Sequence, residues 1–272
     1  MHQFFLATMI CFVGSAQISY KSVKLPKSVS ETSGLETYGD HLITHNDSGD
    51  KPKLYVISSN GEKIIEIKIN SIENNDWEDI ASDSDHLYIA DIGNNNGTRK
   101  NLKIYILDKK FLLKGIITIK YLKQKKFKKN KKNNYNAESL AVVGDQLVLF
   151  SKNMKTLKSE IYTFPKKSGD YILEPKAVIN PNALITGADY NHNTDLMVLT
   201  GYDSLIDEQF LFKINNFTSN GYENLKLHRY KIPIKNAQIE AIKIINQQEF
   251  WVSSEGEEQN TPSLLHIKIK SE

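Results

Sequence analysis

The stretch DWEDIASDSDHLYIADIGNNNGTRKNLKIYIL, from Asp76 to Leu107, contains the pattern that decides the fold. Near its start, Glu78 stands in the segment Trp77-Glu78-Asp79-Ile80. After a short turn, an apolar run, Leu87–Ala90, ends abruptly at Asp91. A loop of Gly and Asn residues and a second alternating run follow. Short alternating runs bounded by turn residues indicate consecutive β-strands.

This layout occurs five times along the chain. Each unit opens with an acid flanked by small or apolar residues, and successive acids are 42 to 60 residues apart. A turn, a run of strand formers and then a short polar residue follow each acid. The opening acids are Glu36, Glu78, Glu138, Asp189 and Glu240, and the polar residues that end the runs are Asn46, Asp91, Ser151, Thr200 and Ser253.

Units made only of strands, with a period of roughly 40 to 50 residues, are typical of a β-propeller. A third strand follows in every unit and a fourth in the first four, but the fifth unit ends near Lys270 with three strands. The alternating segment Ile18–Leu25 can supply the missing strand and cover an exposed edge. We therefore predict an all-β fold, a five-bladed propeller of four-stranded antiparallel blades closed by the N-terminal strand. A six-bladed ring with one degenerate unit is the alternative.

The first 16 residues, MHQFFLATMICFVGSA, have the apolar stretch and small-residue end of a signal peptide. A buried N-terminal strand is the alternative reading. The single cysteine, Cys11, lies inside this segment, so residues 17–272 have no thiol chemistry. We expect one propeller domain over residues 17–272 in a secreted, periplasmic or cell-surface protein.

Several motifs resemble those of a group of secreted bacterial β-propeller proteins. They are His45-Asn46-Asp47-Ser48-Gly49, Asp76-Trp77-Glu78-Asp79-Ile80, Asp91-Ile92-Gly93-Asn94-Asn95-Asn96-Gly97, Ala137-Glu138-Ser139-Leu140, Ile185-Thr186-Gly187-Ala188-Asp189-Tyr190 and Gln238-Ile239-Glu240-Ala241-Ile242. The group occurs mainly in the Bacteroidetes and is related to the SdiA-regulated and esterase-like-phytase propellers. The resemblance covers about residues 18–270 and implies a secreted propeller.

The five opening acids are the first candidate site. Innermost strands of a propeller line its central channel, so Glu36, Glu78, Glu138, Asp189 and Glu240 are expected to form a rough ring. Like charges about 5 Å apart repel by roughly 3 kcal/mol. A ring of exposed carboxylates would therefore need a cation, raised pKa values, or hydrogen-bond donors from neighbouring blades. In the first case, a hard cation such as Ca²⁺ would be held by carboxylates, carbonyls and water. Alternatively, each acid accepts hydrogen bonds from the backbone of the next blade.

The loops after the second strands are the second candidate site. Repeat symmetry places all five loops on one face, where a rigid scaffold commonly carries binding residues. The ordinary turn preferences of Gly, Asn, Asp and Ser explain part of their composition. The candidate ligand-binding residues are Asn46, Asp47, Asp91, Asn94, Arg99, Lys152, Tyr202 and Glu255.

The segment 120–134 (KYLKQKKFKKNKKNN) carries eight lysines and no acid. A basic run of this kind is ordinarily a solvated loop, but it can also bind an anionic surface. We expect Lys123–Lys132 to contact anionic polysaccharide or lipid headgroups if it binds a partner, and we expect no nucleic acid. A polar small molecule, a glycan or a protein is expected at the rim, and the protein is expected to be a monomer.

Two functions remain open from the sequence. The first is a binding or scaffold module with a polar ligand site at one rim of the channel, with Ca²⁺ as its one candidate cofactor. The second is a metal-assisted hydrolase of an ester, lactone or phosphate. No G-x-S-x-G elbow or phosphate-binding glycine loop is present. His45, beside Asp47, is the one candidate catalytic base.

Overall fold

The computed structural model describes residues 18–203, 205–256 and 261–270. The expected signal peptide, residues 1–16, lies outside this part of the chain. The described residues form 21 strands and one short 3₁₀ turn, Lys27–Val29. In these three ranges, no helix has the length and apolar character that crossing a membrane requires.

Strand β1, Ile18–Lys24, comes first, and the next twelve strands build two blades and part of a third. Blade 1 consists of β2 (Thr32–Tyr38), β3 (His41–Asn46), β4 (Lys53–Ile57) and β5 (Lys63–Lys68). Blade 2 consists of β6 (Trp77–Ser82), β7 (His86–Asp91), β8 (Lys103–Asp108) and β9 (Leu113–Tyr121). Blade 3 begins with β10 (Ala137–Val143), β11 (Gln146–Ser151) and β12 (Ser159–Pro165), and β13 (Gly169–Leu173) follows in the chain.

The remaining strands complete the ring. Blade 3 ends with β14 (Ala177–Ile179); blade 4 consists of β15 (Leu184–Asn191), β16 (Leu196–Asp203), β17 (Glu208–Asn215) and β18 (His228–Ile232); and blade 5 of β19 (Gln238–Ile244), β20 (Glu249–Glu255) and β21 (Ser263–Ile269), with β1 as its outer strand.

The innermost strands show that the ring has five blades. They contact one another in the cyclic order β2, β6, β10, β15, β19 and back to β2. Strand β1 pairs antiparallel with β21 from Ile18 opposite Ile269 to Lys24 opposite Ser263. Closure of the fifth blade by the N-terminal strand is therefore confirmed, and the six-bladed alternative is wrong.

Apolar clusters between neighbouring blades hold the ring together. Along β4, Leu54 and Val56 face blade 2, whereas Tyr55 and Ile57 face blade 5. Successive strand residues point to opposite faces of a sheet, so an uninterrupted apolar run buries both faces of a blade. This is why the second and third strands read as continuous apolar segments.

Blade 2 has a fifth strand that the repeat pattern did not predict. Strand β13 pairs parallel with β9, from Gly169 opposite Ile117 to Leu173 opposite Tyr121. The fourth strand of blade 3 is then the short β14, which pairs with β12. The segment after β12 therefore crosses to the neighbouring blade before it returns to its own.

A β-bulge lies near the start of every innermost strand. The pairing skips one residue at each site, and the skipped residues are Gly34, Glu78, Glu138, Thr186 and Glu240. A bulge re-aims the side chain of its extra residue. Because the strands start beside the loops that follow the second strands, these five positions lie at the same end of the channel as those loops. We call this end the channel mouth.

Candidate metal centre

The bulges show that the five opening acids are not equivalent. Glu78, Glu138 and Glu240 are the skipped residues of their strands, whereas Glu36 and Asp189 follow the bulge by two and three residues. At about 3.3 Å per strand residue, these two lie roughly 7–10 Å deeper. The expectation of one ring is therefore corrected: the acids form a group at the channel mouth and a second group inside the channel.

Three carboxylates at the mouth lie close enough together to hold a metal ion. Asp47, Asp76 and Glu78 each place one oxygen within 4.8 Å of the oxygens of the other two. Asp47 comes from the loop after β3, Asp76 immediately precedes β6, and Glu78 is the bulge residue of β6. The triad thus combines one of the predicted ring acids with one of the predicted rim residues.

Glu78 is the most deeply buried member of the triad. Its side chain is 3% exposed, and its Oε1 atom has no hydrogen-bond partner among the described residues. A buried carboxylate oxygen without a donor is costly, so buried charges are ordinarily paired or bound to a metal. A cation bound by Glu78 would remove this cost.

The backbone of Gly93 leaves the space in which the carboxylates meet. A Cβ atom at position 93 would lie 2.1 Å from Glu78 Oε1 and 2.3 Å from Asp76 Oδ2. No residue with a side chain fits there unless these two oxygens move. Glycine in the loop after β7 is thus required by close approach to the triad.

The ionisation of the triad is consistent with a site that needs positive charge. Burial and the neighbouring Asp47 carboxylate raise the pKa of Asp76 to about 7. Burial and the carboxylates of Glu138, Asp47 and Asp76 raise the pKa of Glu78 well above its usual value. Without a cation, these groups therefore hold their protons to higher pH than ordinary carboxyl groups do, and a bound metal ion would displace those protons.

Lys152 is the buried cation of the channel mouth, but it is already committed. Its Nζ atom forms an ion pair with Glu138 and lies 5.0 Å from the centre of the Tyr202 ring. Glu138, Glu240 and Tyr202 together raise the pKa of Lys152 even though burial alone would lower it. One lysine therefore cannot neutralise the triad as well as the glutamates beside it.

Glu240 and Glu255 form the opposite side of the mouth. The Nε2 atom of Gln238 donates to an oxygen of Glu240 and, at 3.1 Å, to Glu255. Burial, and then the Asp47 carboxylate, raise the pKa of Glu255 to about 8. The mouth is therefore an acidic funnel with one internal lysine.

The deeper group is an ion-pair clamp, not part of this funnel. Lys243 Nζ lies 2.7 Å from Glu36 and 3.0 Å from Asp189. Asp189 also accepts a hydrogen bond of 2.7 Å from the backbone N–H of Ile244, in the next blade. This matches the structural alternative, in which the acids brace neighbouring blades.

Four predicted rim residues hold the loops in place. Arg99 donates to Asp91 at 2.6 Å and to the carbonyl of Gly93 at 2.7 Å. Asn94 donates to the Tyr135 carbonyl, and Asn46 donates to the Ser28 carbonyl. Of the eight predicted ligand-binding residues, Asp47, Lys152, Tyr202 and Glu255 surround the funnel, and Arg99 reaches its edge, 3.9 Å from Asp76.

His45, the candidate base, is fully buried. Its ring packs edge-on against Trp77, with 5.6 Å between the ring centres, and its Nδ1 lies 3.0 Å from the Asn46 carbonyl oxygen. Burial lowers the pKa of His45 to about 4. Its side chain is 0% exposed, so it cannot contact a ligand in this conformation.

Sequence reasoning missed Asp76, Gly93, Gln238 and Lys243. Asp76 stands two residues before Glu78, a spacing that places two side chains on one face of a strand, and this was the available signal. Asp79, also missed, accepts a hydrogen bond of 2.8 Å from the Leu140 backbone N–H of blade 3. It is an interblade brace.

The fold has counterparts among solved structures. A structure of Trichoderma reesei carbohydrate-active enzymes family AA12 matches with a TM-score of 0.51 at 6% identity, covering 97% of this chain and all of that chain. Kuenenia stuttgartiensis hydrazine synthase matches with a TM-score of 0.45 at 13% identity, covering 81% of this chain and 60% of that chain. No family model and no curated protein sequence match the chain. At such low identity, the first likeness is one of fold alone.

Proposed function

We propose that this protein is a binding module whose site is the channel mouth, and that a hard divalent cation, Ca²⁺, is bound there by Asp47, Asp76 and Glu78. The observation that carries this proposal is the buried, unpartnered Oε1 atom of Glu78 within the carboxylate triad. Oxygen-rich sites of this kind suit Ca²⁺, which takes six to eight oxygen ligands. Three carboxylates leave coordination positions for carbonyls, water or the bound molecule.

The surroundings of the triad suggest what kind of molecule binds. Tyr202 brings a hydroxyl to the mouth, and Lys152, which is paired with Glu138, brings a positive charge. Glu255, which accepts a hydrogen bond from Gln238, contributes a carboxyl group. A polar small molecule or glycan, or a polar group of a protein, would therefore contact the ion and these side chains together. Export of the chain, membership of the secreted bacterial propellers and a monomeric state are further parts of this proposal.

Calcium titration of the metal-free protein tests the site. After treatment with EDTA, isothermal titration calorimetry should give a Kd of roughly 10⁻⁴–10⁻³ M, the range of extracellular calcium modules. Asp76→Asn and Glu78→Gln should each weaken binding at least about tenfold, because each removes a charged ligand. Asp195→Asn, in a surface turn of blade 4, is the matched control and should leave the Kd unchanged.

Two outcomes would contradict the calcium site. If calcium gives no heat and no change in melting temperature, the triad is not a calcium site. If Asp195→Asn weakens binding as much as Glu78→Gln does, calcium binds diffusely to surface acids. The hydrolase reading has no comparable support, since His45 is enclosed between Trp77 and its own strand.

A further inference from the structure

A second cavity lies on the outer side of blade 2, away from the channel axis. It has a volume of about 430 Å³, within the range of pockets that hold small ligands. Its floor is formed by Leu102, Ile119 and Tyr121, all buried, and its walls by Leu122, Phe127 and Ile172. Ile172, on the added strand β13, is 69% exposed. An exposed apolar wall next to a formed cavity is characteristic of a binding site.

The opening of this cavity is basic. Lys100, Lys120 and Lys125 lie on its edge. None of the eight lysines of segment 120–134 forms an ion pair with a residue that the structure describes, and Lys100 instead lies over the ring of Phe127, with its Nζ 5.1 Å from the ring centre. Charges that no acid neutralises are available to an anionic ligand.

The lysine segment is held in place over the cavity. Gln124 donates to the Gly97 carbonyl at 3.0 Å, the Asn130 N–H donates to the Asn96 carbonyl at 2.8 Å, and Tyr135 donates to the Lys123 carbonyl at 3.0 Å. The sequence alone favoured a solvated loop. Because these bonds fix both ends of the segment, little ordering would be needed when a ligand binds.

We propose that this cavity binds a single anionic amphiphile, a molecule with one apolar chain and a carboxylate or phosphate head. The apolar floor accommodates the chain, and the lysines at the opening pair with the head group. A linear anionic polysaccharide fits less well, since it would leave the apolar floor uncovered. Arg99 lines the cavity and also lies 3.9 Å from Asp76 of the triad, but this proposal does not depend on the cation proposed at the channel mouth.

Decanoate below its micellar concentration is a suitable probe, with decanol as the uncharged comparison. Calorimetry should show that decanoate binds with higher affinity than decanol does. Two double variants test the two parts of the site: Lys100→Ala/Lys125→Ala removes charge from the opening, and Phe127→Ala/Ile172→Ser removes apolar wall. Each should weaken decanoate binding about tenfold, the loss expected for a charge-assisted contact or a buried apolar group.

The same segment offers a matched control. Lys128 and Lys129 line a different, polar depression, so Lys128→Ala/Lys129→Ala should leave decanoate affinity unchanged. Glu78→Gln should also leave it unchanged, which separates this proposal from the calcium site. Equal weakening by the Lys128/Lys129 variant, equal binding of decanol, or binding only to phosphatidylglycerol vesicles and not to decanoate would each overturn the proposal. Melting curves of the variants confirm that they are folded.

Discussion

At the scale of single residues, the proposed calcium site depends on Gly93, which has no side chain, as much as on the carboxylates of the triad. Glu78 reaches the triad because the bulge in β6 re-aims its side chain. Gly93 allows the carboxylates to approach because it has no Cβ. The charge pattern of the sequence revealed Glu78, but the glycine resembled an ordinary loop residue.

Gly93→Ala should disable the site without unfolding the protein. The new methyl group would displace the oxygens of Glu78 and Asp76, so calcium affinity should fall at least about tenfold. Overpacking of this kind costs about 1–3 kcal/mol, and the displaced atoms are the ends of flexible side chains, which favours the lower value. Calorimetry and urea unfolding measure the two effects.

Gly115→Ala is the matched control for this substitution. Its Cβ would meet the flexible Oγ of Ser168, far from the triad. It should lower stability by a similar amount and leave calcium affinity unchanged. Normal calcium binding by Gly93→Ala would show that the ion is not held between Asp76 and Glu78.

At the scale of elements, the hairpin between β6 and β7 shows how turns tie blades together. Asp83 accepts hydrogen bonds from the backbone N–H groups of Asp85 and His86, and its carboxylate pairs with Lys166 of blade 3 at 2.7 Å. Burial alone would raise the pKa of Asp83, but these hydrogen bonds outweigh it and hold the pKa well below its usual value. The turn therefore depends on an ionised Asp83.

The stabilisation by Asp83 should depend on pH. Because its pKa is lower in the folded than in the unfolded state, it stabilises the fold fully above its unfolded pKa of about 3.9, and the effect is lost as pH falls further. Asp83→Asn should cost about 1 kcal/mol at pH 6, a value that allows for partial exposure. This difference should shrink steadily below pH 4 in urea unfolding. Asp85→Asn, exposed in the same turn, should show no such trend, and a pH-independent cost for Asp83→Asn would contradict this account.

The strands themselves were predictable because their pattern is local. Runs such as Leu87–Ala90 and Leu147–Phe150 are short, apolar and bounded by turn residues, and both became second strands. Strand β13 was not predictable, since its pairing with β9 depends on which free edge lies nearby in space. The same holds for the bulges, which moved Glu36 and Asp189 away from the level of the other acids.

At the scale of the whole molecule, the channel has two parts with different roles. The mouth has more carboxylates than cations, and one oxygen of Glu78 has no hydrogen-bond donor. In the deeper part, Lys243 forms ion pairs with Glu36 of blade 1 and Asp189 of blade 4, and so joins both blades to its own blade 5. The repeats of the sequence predicted acids along the axis, but they could not show that Lys243 lies between Glu36 and Asp189.

Lys243→Met tests whether this clamp stabilises the closed ring. Removing the lysine leaves two carboxylates of low exposure without their shared partner, and breaking a buried pair in this way should cost about 3 kcal/mol. The triple variant Glu36→Gln/Lys243→Met/Asp189→Asn removes both charges as well and should recover most of that loss, because neutral amides keep hydrogen-bond acceptors for Thr37 and Ile244. Urea unfolding of the three proteins distinguishes the outcomes.

A Lys243→Met protein as stable as the parent would mean that the carboxylates simply take up protons and that the clamp contributes nothing. A triple variant no more stable than Lys243→Met would mean that the loss does not come from carboxylates left without their partner.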